Sequence, residues 1–212
     1  MSKHHRNRNW APAPQPLPED AHVIDNHTHV ASVVPFSQAM SHEAMEKGQG
    51  EVPVYSVDEL LEQAQKVGVE GVIDCGCELP NLMTAIDMAR EHPGTVYAAI
   101  AIHPNEAVLH GHRGAPGPDG LPIKYKPWHD IPFDEAMAEV HRLATTYPNQ
   151  VVAIGETGMD LFRTGESAKE LQREAFRAHV ALAKELNLPM QIHDRDLSLI
   201  HISEPTRLRC IS

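Results

Sequence analysis

Val69-Glu70-Gly71-Val72-Ile73-Asp74-Cys75 and, after a helix-length spacer, Val96-Tyr97-Ala98-Ala99-Ile100-Ala101-Ile102 decide the fold. Both runs are short and rich in β-branched or small apolar residues. Their apolar character is continuous rather than alternating, the pattern of strands buried on both faces of a parallel sheet. Between them Leu82, Ala85, Ile86 and Ala89 recur at helical spacing from about Pro80 to His92, and Pro93-Gly94 ends that helix. Upstream, Ser56 is placed to cap a helix through Leu60, Leu61, Ala64 and Val67 that stops at Gly68. Further upstream, Val23-Ile24-Asp25 reads as a first strand leading into His27 and His29. Downstream, a helix over 134–147 precedes a strand from Val151 to Ile154. A long helix over 168–186, with Leu171, Ala175, Ala178, Leu182 and Leu186 on one face, precedes a strand from Leu188 to Ile192. Five strands alternating with four helices define an α/β chain. A doubly wound sheet closes with that number. A (β/α)8 barrel needs eight units and about 250 residues, so of a TIM barrel this chain would hold a truncated N-terminal half. Such a half leaves strands one and five with unpaired edges, which favour association.

The 212 residues are 42% hydrophobic and 22% charged, the composition of an ordinary globular protein. No run of 18 apolar residues occurs, which argues against a membrane span, and no apolar stretch of a secretory signal follows the basic start. Three cysteines make no disulfide framework, so the expected compartment is the reducing cytoplasm. The formal charge is −11, with 18 basic residues against 29 acidic, and there are 15 histidines. An acidic protein does not grip nucleic acid through a broad basic face. If it acts on phosphates, bound cations must supply positive charge, and histidine with acidic excess points to divalent metals. Residues 1–20, with Pro12, Pro14, Pro16 and Pro18 and the solvated pair His4 and His5, read as a disordered lead-in. Residues 197–207, from Leu197 to Arg207, resemble a translated transposon-type sequencing adapter, so 197–212 is expected to be a non-native tail and 21–196 the body.

Three clusters follow strand ends, where α/β proteins place their sites. In Asp25-Asn26-His27-Thr28-His29 the histidines two apart project to one side of an extended backbone and suit a metal, with Asp25 as an outer partner. Gly155-Glu156-Thr157-Gly158-Met159-Asp160 sets a carboxylate between glycines, an approachable group able to bridge two cations. His193-Asp194-Arg195-Asp196 offers a further imidazole and a guanidinium suited to phosphate.

Together, Asp25-x-His27-x-His29, Gly155-Glu156-x-Gly158-x-Asp160 and Pro189-x-x-Ile192-His193-x-Arg195-Asp196 resemble the TatD family of metal-dependent deoxyribonucleases and hydrolases. Gln172, Phe176, Ala183 and His103-Pro104 agree with the same pattern, and the likeness covers about residues 21–196. The resemblance implies a TIM barrel with two divalent metals (Zn, Mg or Mn) activating water against a phosphodiester such as DNA. His27 and His29 would ligate the first metal, Glu156 would bridge both, and His193 would ligate the second. His103 and Arg195 resemble substrate-side positions near the phosphate. The family also takes a His after strand six and an Asp, commonly ligand and base, after strand eight. Neither has a counterpart here, and His201 lies too close to His193 for a helix and strand to intervene. The resemblance therefore implies an inactive polypeptide. The alternatives are an amidohydrolase acting on C–N or ester bonds and a non-catalytic metal-binding fragment. No obligate protein partner is evident.

Other residues read as structure. Cys75-Gly76-Cys77 is expected to be a packed strand end rather than a soft-metal site. The proline- and glycine-rich stretch 104–132 is too long for an ordinary βα connection. It would shape a substrate groove in which Trp128 or Tyr125 stacks on a base. His110, His112 and His129 read as solvated loop residues, His141 and His179 as structural helix residues, and His42, Glu43 and Glu46 as part of an unassigned polar stretch.

Overall fold

A computed structural model describes residues 16–18, 20–48, 53–117 and 120–196. Strands β1 (Val23–Thr28), β2 (Val69–Gly76), β3 (Val96–Ile100), β4 (Val151–Asp160) and β5 (Met190–Arg195) form one sheet in the order β1-β2-β3-β4-β5. Every neighbouring pair is parallel. Spatial order that follows chain order excludes the doubly wound alternative, whose order reverses at a switch point. It is the order of successive strands around a barrel wall. The sheet is strongly curled. Gln191 of β5 reaches across to donate its amide N–H to the Asn26 carbonyl of β1, and it accepts from Cys75 Sγ of β2 at 3.0 Å.

Helices α1 (Val30–Glu46), α2 (Val57–Lys66), α3 (Leu79–Glu91), the four-residue α4 (Pro104–Ala107), α5 (Phe133–Thr146) and α6 (Lys169–Leu186) fill the connections. Helix α2 begins as its sequence implies. Ser56 Oγ accepts the Glu59 N–H at 3.2 Å and Glu59 Oε2 accepts the Ser56 N–H at 2.8 Å, a reciprocal capping box. Leu82, Ala85, Ile86 and Ala89 of α3 are fully buried against β2 and β3, and Ala136, Val140 and Leu143 of α5 extend the same core. None of the described helices is long and apolar enough to cross a membrane.

Several expectations require correction. The unassigned stretch containing His42, Glu43 and Glu46 belongs to α1, a fifth long helix hidden in the sequence by Pro35 and its β-branched start. His42 faces Glu46 one turn on, at 3.7 Å. Strand β4 does not stop at Ile154 but runs ten residues through the Gly-Glu cluster to Asp160. Burial on both faces holds for β2, β3 and β4 but fails at the sheet margins, where Ile24 is 55% and Ile192 63% exposed. The buried face of α6 is Gln172, Ala175, His179, Leu182 and Ala183, rotated from the all-apolar stripe expected. Polar residues occupy two core positions there because strand backbone needs them. Gln172 makes paired bonds with the Asp160 N–H and C=O at 3.0 and 2.9 Å, and His179 Nε2 accepts the Ile102 N–H at 3.1 Å.

The histidines of the long connection are not all solvated. His110 and His129 are each 1% exposed. His129 Nδ1 accepts the Lys126 N–H at 2.9 Å and its Nε2 meets Glu106 at 2.7 Å, while His110 Nδ1 donates to the Ile131 carbonyl at 2.8 Å. They serve as the connection's own small core. His112 alone remains at the surface, 2.6 Å from Asp130. Of the lead-in, Leu17 donates its N–H to the Val67 carbonyl at 3.0 Å and lies against Gly68. Residues 1–15 and the adapter-like 197–212 lie outside the described residues.

Candidate metal centre

The inward-facing ends of β1, β4 and β5 converge on Glu156. His27 Nε2 and His29 Nε2 lie 3.6 and 3.8 Å from its Oε2, with the two imidazole rings edge-on at 5.2 Å. His193 Nδ1 lies 2.6 Å from its Oε1, and His103 Nε2 lies 4.0 Å from the same oxygen. Two donor groups result, His27–His29–Glu156 and His103–Glu156–His193, each with its ligand atoms within 4.8 Å of one another. They share one carboxylate. Imidazole nitrogens with carboxylate oxygen suit a divalent metal, and His27, His29, Glu156 and His193 have the donor chemistry for one.

Local backbone explains why Glu156 is so accessible. A Cβ at Gly155 would meet the Gln191 Cβ at 2.5 Å, and one at Gly158, whose φ is +144°, would meet the His193 carbonyl oxygen at 2.1 Å. The flanking glycines let β4 and β5 approach closely, which brings Glu156 and His193 within hydrogen-bonding reach. Thr28 Oγ1 donates to the Ile73 carbonyl at 3.0 Å, and the Ala31 N–H donates to Asp74 Oδ1 at 3.3 Å, so β2 holds both sides of the turn that carries His29. Asp25 accepts the His27 backbone N–H at 3.2 Å rather than an imidazole, so it shapes the strand end instead of orienting a ring.

Electrostatics polarise the cluster. Burial pushes the Glu156 carboxyl upward, but the His193 hydrogen bond and the charges of His103, His193 and His27 outweigh it and hold the group at about 2. His193 is raised, chiefly by its bond to Glu156 against an opposing burial effect. Its second nitrogen, Nε2, lies 3.1 Å from Oδ2 of Asp160, which is 1% exposed. Asp160 in turn accepts from the Phe162 and Arg163 N–H groups at 3.0 and 2.8 Å and from Asn105 Nδ2 at 3.0 Å. Burial opposes ionisation of Asp160, and these bonds more than compensate. His103 is lowered to about 4, first by burial and then by His193. Its Nδ1 accepts the Asn105 N–H at 3.2 Å, which assigns the proton to Nε2, the nitrogen facing Glu156. As placed, His103 is a neutral donor.

His27, His29, Glu156 and His193 are thus brought together, with His103 beside them. Arg195 is not in the cluster. Its guanidinium stands over the Phe162 ring at 4.3 Å, at the exposed C-terminal end of β5. Cys75 packs with Ala99 and Ala153 as a strand-end residue, and its thiol is pushed up to about 12 by burial and then by Glu156. Cys77 Sγ lies 3.8 Å from Glu156 Oε2, and burial raises this thiol as well. Asp74, Asn105 and Gln191 are supporting residues that local sequence did not single out, because each acts on a partner distant in the chain.

The family model described as "TatD related DNase" matches residues 24–207. An uncharacterized metal-dependent hydrolase, YabD, from Bacillus subtilis is 34% identical over 140 residues, 66% of this chain and 45% of that protein. A protein named 3'-5' ssDNA/RNA exonuclease TatD from Erwinia tasmaniensis is 32% identical over 139 residues, 66% of this chain and 44% of its own. Among solved structures, the TatD homolog YJJV from Escherichia coli superposes with a TM-score of 0.53 at 25% identity, covering 82% of this chain and 51% of that one. The chain spans about half the length of the relatives it matches, as five strands of an eight-stranded barrel would. The shared carboxylate between histidine groups thus stands in a chain that belongs to the TatD-related DNase family.

Proposed function

We propose that this chain carries the metal-holding part of a hydrolase for phosphodiesters, single-stranded DNA or RNA foremost. The observation that supports the reading most is Glu156, shared between two imidazole groups at the strand ends. Metals held there would supply charge to stabilise an attacked phosphate and a water of lowered pKa. The chain's own residues supply the rest. Glu156 remains anionic at any working pH and holds the two donor groups at a fixed separation. Asp160 accepts from His193 Nε2, which leaves Nδ1 as the nitrogen facing the shared carboxylate. His103 presents Nε2–H, a donor for a phosphate oxygen, and Arg195 stands on the rim where the strand of a longer substrate would pass.

The further His and the base Asp that the family resemblance assigns have no counterpart among the described residues. We therefore expect the 212-residue polypeptide to bind metal with turnover lost. Titration with Mn2+, paired with gel assays on 3'-labelled single-stranded DNA and on small amides, tests this. Saturable metal binding that Glu156→Gln abolishes is the expected result. Equal binding by wild type and Glu156→Gln would sink the metal-site reading. Cleavage of DNA by the wild type but not the variant would support the hydrolase and overturn the expected inactivity. Hydrolysis of amides with DNA untouched would move the assignment to the amidohydrolase alternative.

A further inference from the structure

The aromatics of the long connection after β3 are engaged within it. Tyr125 lies against the His112 ring at 4.3 Å and Trp128 Nε1 donates to Glu106 at 3.3 Å, so neither is placed as the base-stacking residue its sequence suggests. A side chain that does join the strands of the centre lies on the inner face of the curled sheet. Inward residues of a barrel wall pack together in layers. Here that layer is made of small residues: Cys75, Ala99 and Ala153 form one cluster, and Gly155 adds no side chain. Gln191 of β5 reaches into the space they leave. A Cβ at Gly155 would stand 2.5 Å from the Gln191 Cβ, so the glycine is what admits it.

Both ends of the Gln191 amide are used. Nε2 donates to the Asn26 carbonyl of β1, and Oε1 accepts the Cys75 thiol of β2 at 3.0 Å. A flipped amide would set oxygen against the carbonyl and N–H against S–H, so the pair of bonds fixes its orientation. The contact falls where β1 is weakest. The register of β1 on β2 breaks between Asp25 and Thr28, so Asn26 and His27 sit in a gap of the ladder. The peptide unit that leads into His27 is therefore held by side chains. Gln191 takes its carbonyl, and Asp25 Oδ1 takes its N–H at 3.2 Å. Fixing that peptide plane fixes the Cα of His27, whose Nε2 stands 3.6 Å from Glu156. Gln191 lies two residues before His193 on the same strand, so one side chain relates the β1 histidines to the β5 histidine.

We propose that Gln191 is a positioning residue of the centre, a strap from β5 to β1 that sets His27 and His29 against Glu156 and His193 before a metal arrives. The inference rests on the metal-holding part of the proposed function and not on the substrate. The competing arrangement is one in which the metal itself draws β1 in. Binding would then have to order the gap in β1, and affinity would gain nothing from Gln191.

Two variants break the strap without emptying the space. Gln191→Leu removes both bonds, and Gln191→Glu keeps an acceptor for Cys75 but turns an oxygen toward the Asn26 carbonyl. Hydrogen exchange in EDTA reads the strap alone. Mn2+ titration with pulsed EPR reads its effect on the donors, because each bound imidazole nitrogen couples to the electron spin. In both variants we expect the amides of residues 23–29 to exchange about tenfold faster, while those of β2 and β3 keep their wild-type rates. Mn2+ affinity should fall about tenfold, with the couplings of His27 and His29 lost and that of His193 kept. Unchanged exchange in β1 overturns the proposal. So does weaker binding with the wild-type number of coupled imidazoles, which would make Gln191 a merely structural residue. A rise in exchange across all five strands would show that the residue holds the fold rather than the site, and overturns it as well. A wild-type chain that binds no Mn2+ would remove the metal-holding reading and the positioning role together, whereas wild-type binding that both variants retain unchanged would remove the role alone.

Discussion

His193 meets a carboxylate at each nitrogen, Glu156 at Nδ1 and Asp160 at Nε2. Of the two, Asp160 is the more deeply buried and is fixed by three other donors and by the paired bonds of Gln172 to its backbone. Asp160 is thus the group that sets which way the ring presents itself to Glu156. Asp160→Asn keeps the acceptor for the Phe162 and Arg163 amides but places an N–H donor toward His193. The expected result is loss of the proton from His193 Nε2, visible in its 15N resonances, with Mn2+ affinity lowered about 10–100-fold. An unchanged tautomer with lowered affinity would assign Asp160 a merely structural role. His179 offers a separate test at this scale. Burial lowers it to about 4, with its bond to the Ala175 carbonyl opposing, so it folds neutral. Between that value and the unfolded value of 6.5, the unfolded chain binds a proton that the folded chain does not. Stability is therefore full above pH 6.5 and falls as pH drops toward 4, by about 3 kcal/mol over the window. Urea denaturation at pH 7 and pH 5 measures it. His179→Gln, which retains an acceptor for Ile102 and does not titrate, should flatten that dependence.

At the level of elements, the β4–β5 pair governs the site. Its closeness depends on the Gly158 backbone passing over the His193 carbonyl oxygen. Gly158→Ala forces the strands apart at the point where Glu156 and His193 meet. The expected cost is about 1–3 kcal/mol, a fall in melting temperature of roughly 2–4 °C per kcal/mol, with weakened Mn2+ binding. Calorimetry and metal titration together check it. Loss of stability with metal binding intact would show that the two strands separate elsewhere. Much of this level was readable in advance. Ser56 and Glu59 at capping-box spacing, the Leu82–Ile86–Ala89 stripe and the apolar runs of β2 and β3 are local signals with local physical causes. Helix α1 and the extent of β4 were not. Pro35 and the β-branched residues around it argue against a helix locally, and packing on α2 and α3 supplies what propensity withholds. Gly155 and Gly158 lie past the apolar run that ends at Ile154, while the parallel partner β5 keeps the chain extended through them.

Across the whole molecule, the curled sheet has two margins. Among the described residues β1 pairs only with β2 and β5 only with β4. Each margin carries an exposed isoleucine, Ile24 and Ile192. Such edges template pairing with another chain. Self-association that grows with concentration is the expected behaviour in light scattering after size exclusion, and the double substitution Ile24→Lys, Ile192→Lys should reduce it. A monodisperse monomer at all concentrations would contradict this. The sequence by itself indicated the α/β class and singled out His27, His29, Glu156 and His193, because strand-end motifs and apolar periodicity are encoded over a few neighbouring residues, while the spatial order of the strands came from the structure. The tertiary structure alone decided how those residues are held. Asp160 on His193, Asn105 between His103 and Asp160, Gln191 spanning β5 to β1 and the buried His110 and His129 all join residues that the chain separates widely. Such pairings depend on sheet curvature and on which polar groups lose their water, and neither is written in any one segment.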